Sequence, residues 1–152
     1  MGIAKRKAIL TGLAAFFLAL FVYSAIIHPL LEQFVSLPQI PGGIGIKTIL
    51  MMSFSLIHAW CALGWKRALM FFAITAVVSW GYEQVGVETG LVYGKYHYTD
   101  VLGAKLGHVP IIIPIAWFMM IYPSFIIANF MVSGSISKSR NRISQIIWLS
   151  MI

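Results

Sequence analysis

The sequence predicts an all-α fold: a polytopic integral membrane helix bundle of about four transmembrane helices, followed by the start of a fifth helix or an interfacial segment. Of its 152 residues, 60% are hydrophobic and only 10% are charged, whereas about a quarter of the residues in a soluble domain carry a charge. Apolar runs close to the ~20 residues that a bilayer-spanning helix needs recur along the chain. A single membrane domain is expected from this length.

The apolar runs define four expected spans. The first follows the basic residues 5–7 and could begin a signal peptide, but it is about as long as a full span and lacks a small-x-small cleavage site. We therefore interpret it as an uncleaved first helix. A connector, residues 29–45, is still fairly apolar and is expected to lie along the membrane interface. The predicted spans cover residues 8–27, 46–64, 68–87 and 109–132.

The third span carries an acidic residue near its end. Only fifteen apolar residues, 68–82, precede Glu83, which is short for a helix that rises 1.5 Å per residue across the hydrocarbon. The span is therefore expected to continue to about Val87, with Glu83 inside the membrane boundary. Trp80, Glu83 and Val87 would then share one helix face.

Two polar segments and a short apolar tail complete the chain. Residues 88–108 form a loop punctuated by glycines. In it, Tyr96 and Tyr98 would share one face of an extended strand, because side chains alternate along such a segment. Residues 133–142 form a solvated basic loop. Residues 143–152 are apolar but too short to span, and are either interfacial or the start of a truncated helix of a longer protein.

The charges predict the orientation. With the N-terminus in the cytoplasm, eight of the eleven basic residues fall in cytoplasmic segments, and all four acids fall on the outer side, as the positive-inside rule requires. We expect a multi-pass protein of the cell membrane whose loop 88–108 lies outside. Topology and contact with anionic lipid then explain the net charge of +7, so a nucleic-acid partner is not expected. The lone Cys61 excludes an intrachain disulfide.

The stretch 80–124 is the candidate functional region, since it holds three of the four acids and five of the six tyrosines. Acids at membrane depth are costly and therefore suggest function. Each residue alone has a simpler interpretation: Glu83 as an interfacial acid, Asp100 as a turn former, and the tyrosines as an interface belt. Together they resemble an acid–base site facing an apolar substrate. Phosphate-loop, serine-elbow and HExxH motifs are absent. A metal site built from Glu83, Glu88, His97, Asp100 and His108 is conceivable, but no two of these residues lie one turn apart within a predicted helix, so neither a metal nor a cofactor is predicted.

The run GVETGLVYGKYHYTDVLGAKLGHVPIIIPIAWFMMIYPS, residues 86–124, resembles the carotenoid biosynthesis family of integral membrane proteins. With Trp80–Glu83 before it, the run follows the pattern E-x-x-G-x-x-T-G-x-x-[YF]-G-x-Y-x-Y, then L-G-x-K and V-P-x-x-[IV]-P-x-x-W-F-M-M-x-Y-P. The characterised members are carotenoid 1,2-hydratases, such as the bisanhydrobacterioruberin and γ-carotene hydratases. Family members are usually longer, with several more helices, so this chain resembles a partial or short member.

The resemblance implies a cofactor-independent hydro-lyase that adds water to the terminal C1,C2 double bond of an acyclic carotenoid end group. A general acid would protonate the less substituted carbon, and water would add to the resulting tertiary cation. Either Glu83 or Asp100 would give the proton, with the other orienting water or acting as base, and Tyr96 and His97 would complete a proton relay. The expected substrate-binding residues are Trp80, Glu88, Tyr93, Tyr98, Lys105, Trp117 and Tyr122.

Two non-enzymatic functions remain open at this point: a carotenoid- or lipid-binding membrane subunit, and a small proton-coupled transporter. A transporter should carry carboxylates near the bilayer midplane and broken helices in two related halves, whereas the acids here cluster at one interface. The expected partners are the carotenoid and the lipid bilayer. A homo-oligomer, or a complex with other carotenoid enzymes, is compatible with the sequence because four helices enclose little volume for a long polyene.

Overall fold

The computed structural model describes residues 2–133. The predicted segment 143–152 and nearly all of the basic loop 133–142 lie outside this range. The long helix α1 continues through a π-helical turn, Tyr23–Ile27, into the short helix α2, and a 3₁₀ turn, Asp100–Leu102, lies in the loop before the last helix. The helices and strands are α1 (Ile3–Val22), α2 (His28–Leu31), α3 (Gly43–Leu63), α4 (Trp65–Thr89), β1 (Lys105–Leu106), β2 (Val109–Pro110) and α5 (Ile112–Ser133).

The described residues contain four helical segments that are long and apolar enough to cross a membrane: Ala4–Leu31, Gly43–Leu63, Trp65–Thr89 and Ile112–Val132. Their lengths, 28, 21, 25 and 21 residues, match or exceed the ~20 residues that the hydrocarbon core demands. The predicted all-α polytopic membrane fold is thus confirmed for this part of the chain.

The helices pack around α3, which contacts α1, α4 and α5, while α4 also packs along α5. The core contains two alanines, Ala59 and Ala68, beside Phe118 and Tyr122. Small residues let membrane helices approach closely, and the aromatic rings fill the space between them. Phe72 meets Phe118 edge-on with ring centroids 5.0 Å apart, one of the geometries that aromatic pairs favour.

The start of the last helix differs from the prediction. The sequence indicated a span from residue 109, but Val109 and Pro110 pair with Leu106 and Lys105 in a small antiparallel hairpin. The helix begins only at Ile112. The hairpin occupies the residues predicted to begin the helix. Pro110 is compatible with this hairpin because proline, which lacks an amide donor, can lie at the end of a short strand.

The bundle has two chemically different ends. At one end, the guanidinium of Arg6 lies 5.1 Å from the ring centroid of Trp60, so the start of α1 meets the turn between α3 and α4. The opposite end carries the loop between α4 and α5. The 25 residues of α4 separate these ends by ~37 Å at 1.5 Å per residue.

Candidate functional site: a buried carboxyl with three aromatic donors

Glu83 is the centre of the site. It lies in α4, six residues before the helix ends at Thr89, and only 5% of its surface is exposed. Its oxygen Oε2 accepts hydrogen bonds from the hydroxyls of Tyr96 at 2.6 Å and Tyr98 at 2.8 Å. Its oxygen Oε1 accepts one from the indole Nε1 of Trp117 at 2.9 Å. Both oxygens of this buried carboxyl are therefore hydrogen-bonded, as buried polar groups require.

Three separate segments supply these groups. The buried face of α4 includes Thr75, Ser79 and Glu83, which recur every four residues and so turn the carboxyl towards α5. Both tyrosine hydroxyls reach the same oxygen, which confirms that Tyr96 and Tyr98 share one face of their segment. Trp117 comes from the second turn of α5, 34 residues after Glu83.

Gly86 makes room for Tyr96. A Cβ at this position would lie 2.7 Å from the Tyr96 hydroxyl, which is well below an ordinary van der Waals contact. Gly86 lies one helical turn after Glu83, on the same buried face of α4. Gly86 was not among the predicted site residues, although the E-x-x-G spacing places it directly beside the carboxyl.

Two residues of α4 anchor the loop above the site. The Trp80 indole Nε1 donates to the Leu106 carbonyl at 3.0 Å, and the Gln84 side-chain oxygen accepts from the His108 amide at 2.9 Å. Gly107 lies so close to the Gln84 amide that any side chain at position 107 would collide with it. Gln84 was not among the predicted site residues, because nothing in its local sequence indicates a partner 24 residues away.

Asp100, the second predicted acid, lies outside the Glu83 cluster. Its side chain is 99% exposed and pairs with the Lys105 ammonium at 2.8 Å. The hydrogen bond and charge of Lys105 hold the pKa of Asp100 below its usual range. The same ammonium donates to the Tyr98 carbonyl at 2.7 Å. Lys105, predicted to bind substrate, therefore fixes the backbone of a residue that contacts Glu83.

The other predicted residues are spread around the cluster. Tyr93 packs edge-on against Tyr96, with ring centroids 6.1 Å apart. His97 is exposed and falls on the opposite side of the alternating segment from the two tyrosines. Glu88 is exposed and lies 3.6 Å from His108. Tyr122 belongs to the packed core, where only 1% of its surface is exposed.

The environment keeps the phenols neutral. Burial, followed by the hydrogen bond to Glu83, raises the pKa of Tyr96 to about 12. The same causes raise the pKa of Tyr98. Both phenols therefore remain hydrogen-bond donors throughout the physiological pH range.

Apolar grooves adjoin this polar cluster. One, of about 410 Å³, lies between α4 and α5 and shares Trp117 and Tyr93 with the surroundings of Glu83. Another, of about 350 Å³, opens on a different face of the same helix pair and is lined by Trp80, Leu106 and Pro114 among others. Such volumes are typical of small-molecule sites. Among residues 2–133, no three His, Cys, Asp or Glu side chains converge as a metal ion would require.

Comparison with known proteins identifies the family. The family described as "Carotenoid biosynthesis protein" matches residues 43–152, which is 110 of the 152 residues and includes every residue of the Glu83 cluster. No curated protein and no solved structure matches the chain. The family match confirms the resemblance noted in the sequence. The chain is a member of the carotenoid biosynthesis protein family.

Proposed function

We propose that this membrane protein hydrates the terminal C1,C2 double bond of an acyclic carotenoid end group, with Glu83 as the proton donor. The observation that carries the proposal is a buried carboxyl, hydrogen-bonded at both oxygens, whose donor Trp117 also lines an apolar groove between two membrane helices. Family membership supports a role in carotenoid biosynthesis. The hydration itself is what the resemblance to carotenoid 1,2-hydratases implies, and the buried acid beside aromatic side chains is compatible with it.

The reaction adds one water molecule and is redox-neutral. The Glu83 carboxyl transfers its proton to C2, the less substituted carbon, and the π electrons of the double bond form the new C–H bond. C1 becomes a tertiary cation. A water oxygen then bonds to C1, and the proton that it loses returns to the Glu83 carboxylate, which restores the starting state.

The three donors assist the proton transfer. When Glu83 gives up its proton, negative charge develops on its oxygens, and Tyr96, Tyr98 and Trp117 already point at them. Preorganised donors of this kind stabilise developing charge without reorganisation. The pKa of Tyr96 is raised to about 12, so its hydroxyl stays protonated. Tyr96 therefore acts as a fixed neutral hydrogen-bond donor and a positioning residue rather than as a proton carrier.

The groove provides the environment that the cation needs. Trp117 and Tyr93 present aromatic surface along its wall, and desolvated aromatic faces stabilise a nearby cation by about 2 kcal/mol. The polyene would enter from the lipid side, where the groove is lined by aliphatic side chains. Water would enter from the exposed loop, so the two reactants reach Glu83 from different directions.

The proposed site has a defined side of the membrane. With the basic N-terminal segment in the cytoplasm, the loop that covers Glu83 faces the outside of the cell membrane. Reaction of an embedded substrate at one interface requires only the end group, and not the whole polyene, to reach the site.

Expression of the full chain in a lycopene-producing host tests the proposal. The expected result is a new pigment whose mass has increased by one water. A folded, membrane-inserted protein that leaves lycopene unchanged would contradict hydration of this substrate. Unchanged pigment that copurifies with the protein would instead support the carotenoid-binding function.

A further inference from the structure

The end of the bundle opposite Glu83 carries a cluster of cations and tryptophans, which we call the basic cleft. It consists of Arg6 and Lys7 from α1, Trp60 from α3, and Trp65 and Lys66 from α4. The Arg6 guanidinium lies 5.1 Å from the ring centroid of Trp60, and the Lys66 ammonium lies 5.6 Å from that of Trp65. Tryptophan favours the membrane–water interface, which places the basic cleft at headgroup depth.

No carboxylate side chain compensates these charges. The sequence has only four acids, and all of them lie in the described residues. Glu83 is enclosed by its aromatic donors. The others have partners elsewhere: Glu32 lies near His28, Glu88 near His108, and Asp100 near Lys105. The basic cleft therefore presents positive charge that no Asp or Glu side chain neutralises.

Two adjoining grooves meet within the basic cleft, at Arg6 and the two tryptophans. One, of about 340 Å³, runs from Arg6 along the apolar side chains of Leu56, Ala68 and Leu69. The other, of about 270 Å³, opens between Lys7 and Gly64. Both grooves share Arg6, Trp60 and Trp65 as walls. The positively charged opening thus continues into an apolar slot, and this arrangement is complementary to an amphiphilic molecule.

We propose that the basic cleft is a binding site for an anionic phospholipid. Its phosphate would be held by the Arg6 guanidinium, supported by Lys7 and Lys66, and one acyl chain would lie in the slot beside Leu56 and Leu69. A guanidinium stacked on an indole keeps its edge N–H groups available, and these match phosphate oxygens in a two-pronged geometry. Free phosphate would leave the slot empty, and a neutral lipid would leave the charge uncompensated.

The bound lipid would also join elements distant in sequence. Arg6 and Lys7 lie near the start of α1, whereas Trp65 and Lys66 begin α4. A headgroup held by both elements would fix α1 against the turn between α3 and α4. The proposal is independent of the chemistry at Glu83, and its test needs no turnover.

The full chain, purified in an uncharged detergent, is titrated separately with phosphatidylglycerol, phosphatidylcholine and inorganic phosphate, and binding is followed by native mass spectrometry. Phosphatidylglycerol should bind tightest. Arg6→Gln and Lys66→Gln should each weaken it about fivefold, the effect of one basic residue near an anionic headgroup. Lys95→Gln, which removes the same charge from the exposed loop at the other end, should leave binding unchanged.

Leu69→Trp tests the apolar slot without altering charge, and it should weaken phosphatidylglycerol binding by narrowing the groove. Arg6→Lys keeps the charge but loses the two-pronged contact, so it should bind phosphatidylglycerol more tightly than Arg6→Gln and less tightly than the unchanged protein, which separates a binding defect from misfolding. The proposal is overturned if phosphatidylcholine or inorganic phosphate binds as tightly as phosphatidylglycerol. It is equally overturned if Lys95→Gln weakens binding as much as Arg6→Gln, or if Arg6→Gln and Leu69→Trp both bind normally.

Discussion

Gly86→Ala is the most informative small perturbation of the site. The new Cβ would lie 2.7 Å from the Tyr96 hydroxyl, whereas ordinary contacts begin near 3.4 Å, so the hydroxyl must retreat by about 0.7 Å. Its hydrogen bond to Glu83 is 2.6 Å long, and a retreat of this size away from Glu83 would stretch it to about 3.3 Å, beyond the usual 2.5–3.0 Å range for O–H···O bonds. We expect this one hydrogen bond to be lost.

The loss should appear in activity rather than in stability. A hydrogen bond to a charged group contributes about 1.5–3 kcal/mol, which corresponds to a roughly 10- to 150-fold slower hydration if the bond acts mainly in the transition state. Replacing a helical glycine with alanine gains up to about 1 kcal/mol, which offsets much of the effect on folding. The assay is hydrated pigment formed per unit of folded protein in a lycopene-producing host, together with the thermal midpoint of the purified chain.

A matched control and a double variant make the test specific. Gly81 lies in the same helix with no atom near its missing Cβ, so Gly81→Ala should leave activity unchanged. In a Tyr96→Phe background the clashing hydroxyl is absent, and the nearest ring atoms would lie 3.5 Å from the new Cβ. Gly86→Ala should then cause no further loss. Independent, multiplicative effects of the two substitutions would refute the proposed contact.

Three further predictions concern the surroundings of the site. Trp117→Phe removes the indole that donates to Glu83 Oε1 and should slow hydration about tenfold. The loop contacts of Tyr98 and the expression level should remain. Unchanged turnover would contradict the role of Trp117. Tyr122→Phe removes a 2.7 Å hydrogen bond to His58 and should lower the free energy of unfolding by about 1 kcal/mol with activity retained, as measured by denaturation and pigment analysis. Asp100 has a lowered pKa in the folded protein, so its pairing with Lys105 supports the loop above the ordinary Asp pKa and is lost as the pH falls through the folded value. The protection factors for amide hydrogen exchange in residues 96–106, which correct for the intrinsic pH dependence of exchange, should therefore fall in acid, and Lys105→Met should abolish that acid dependence.

Local patterns predicted much of the fold. The lengths of the apolar runs were sufficient to predict the four helices, since the bilayer dictates both the length and the composition of a spanning helix. The shortness of the apolar run before Glu83 correctly indicated that the helix continues past it. Alternation correctly placed Tyr96 and Tyr98 on one face, because that property depends only on an extended backbone.

Contacts between residues distant in sequence determine the part of the site that local patterns did not predict. The Trp117 indole reaches Glu83 across 34 residues, and Gln84 reaches the His108 amide across 24. Neither pairing leaves a local pattern. The position of Asp100 depends on Lys105 five residues later, a loop contact that no helical or strand periodicity encodes. The sequence could therefore offer two acids as equals, whereas the structure buries one and exposes the other.

The most direct test of the central claim is Glu83→Gln, compared with Glu88→Gln in the same helix. Glu88 is exposed and receives none of the three aromatic donors, so the two variants make the same chemical change in different surroundings. If Glu83 transfers the proton, Glu83→Gln should reduce formation of hydrated lycopene by about 100- to 10,000-fold. Glu88→Gln should retain turnover, at equal levels of folded protein in the membrane. Full hydration by Glu83→Gln would contradict the account.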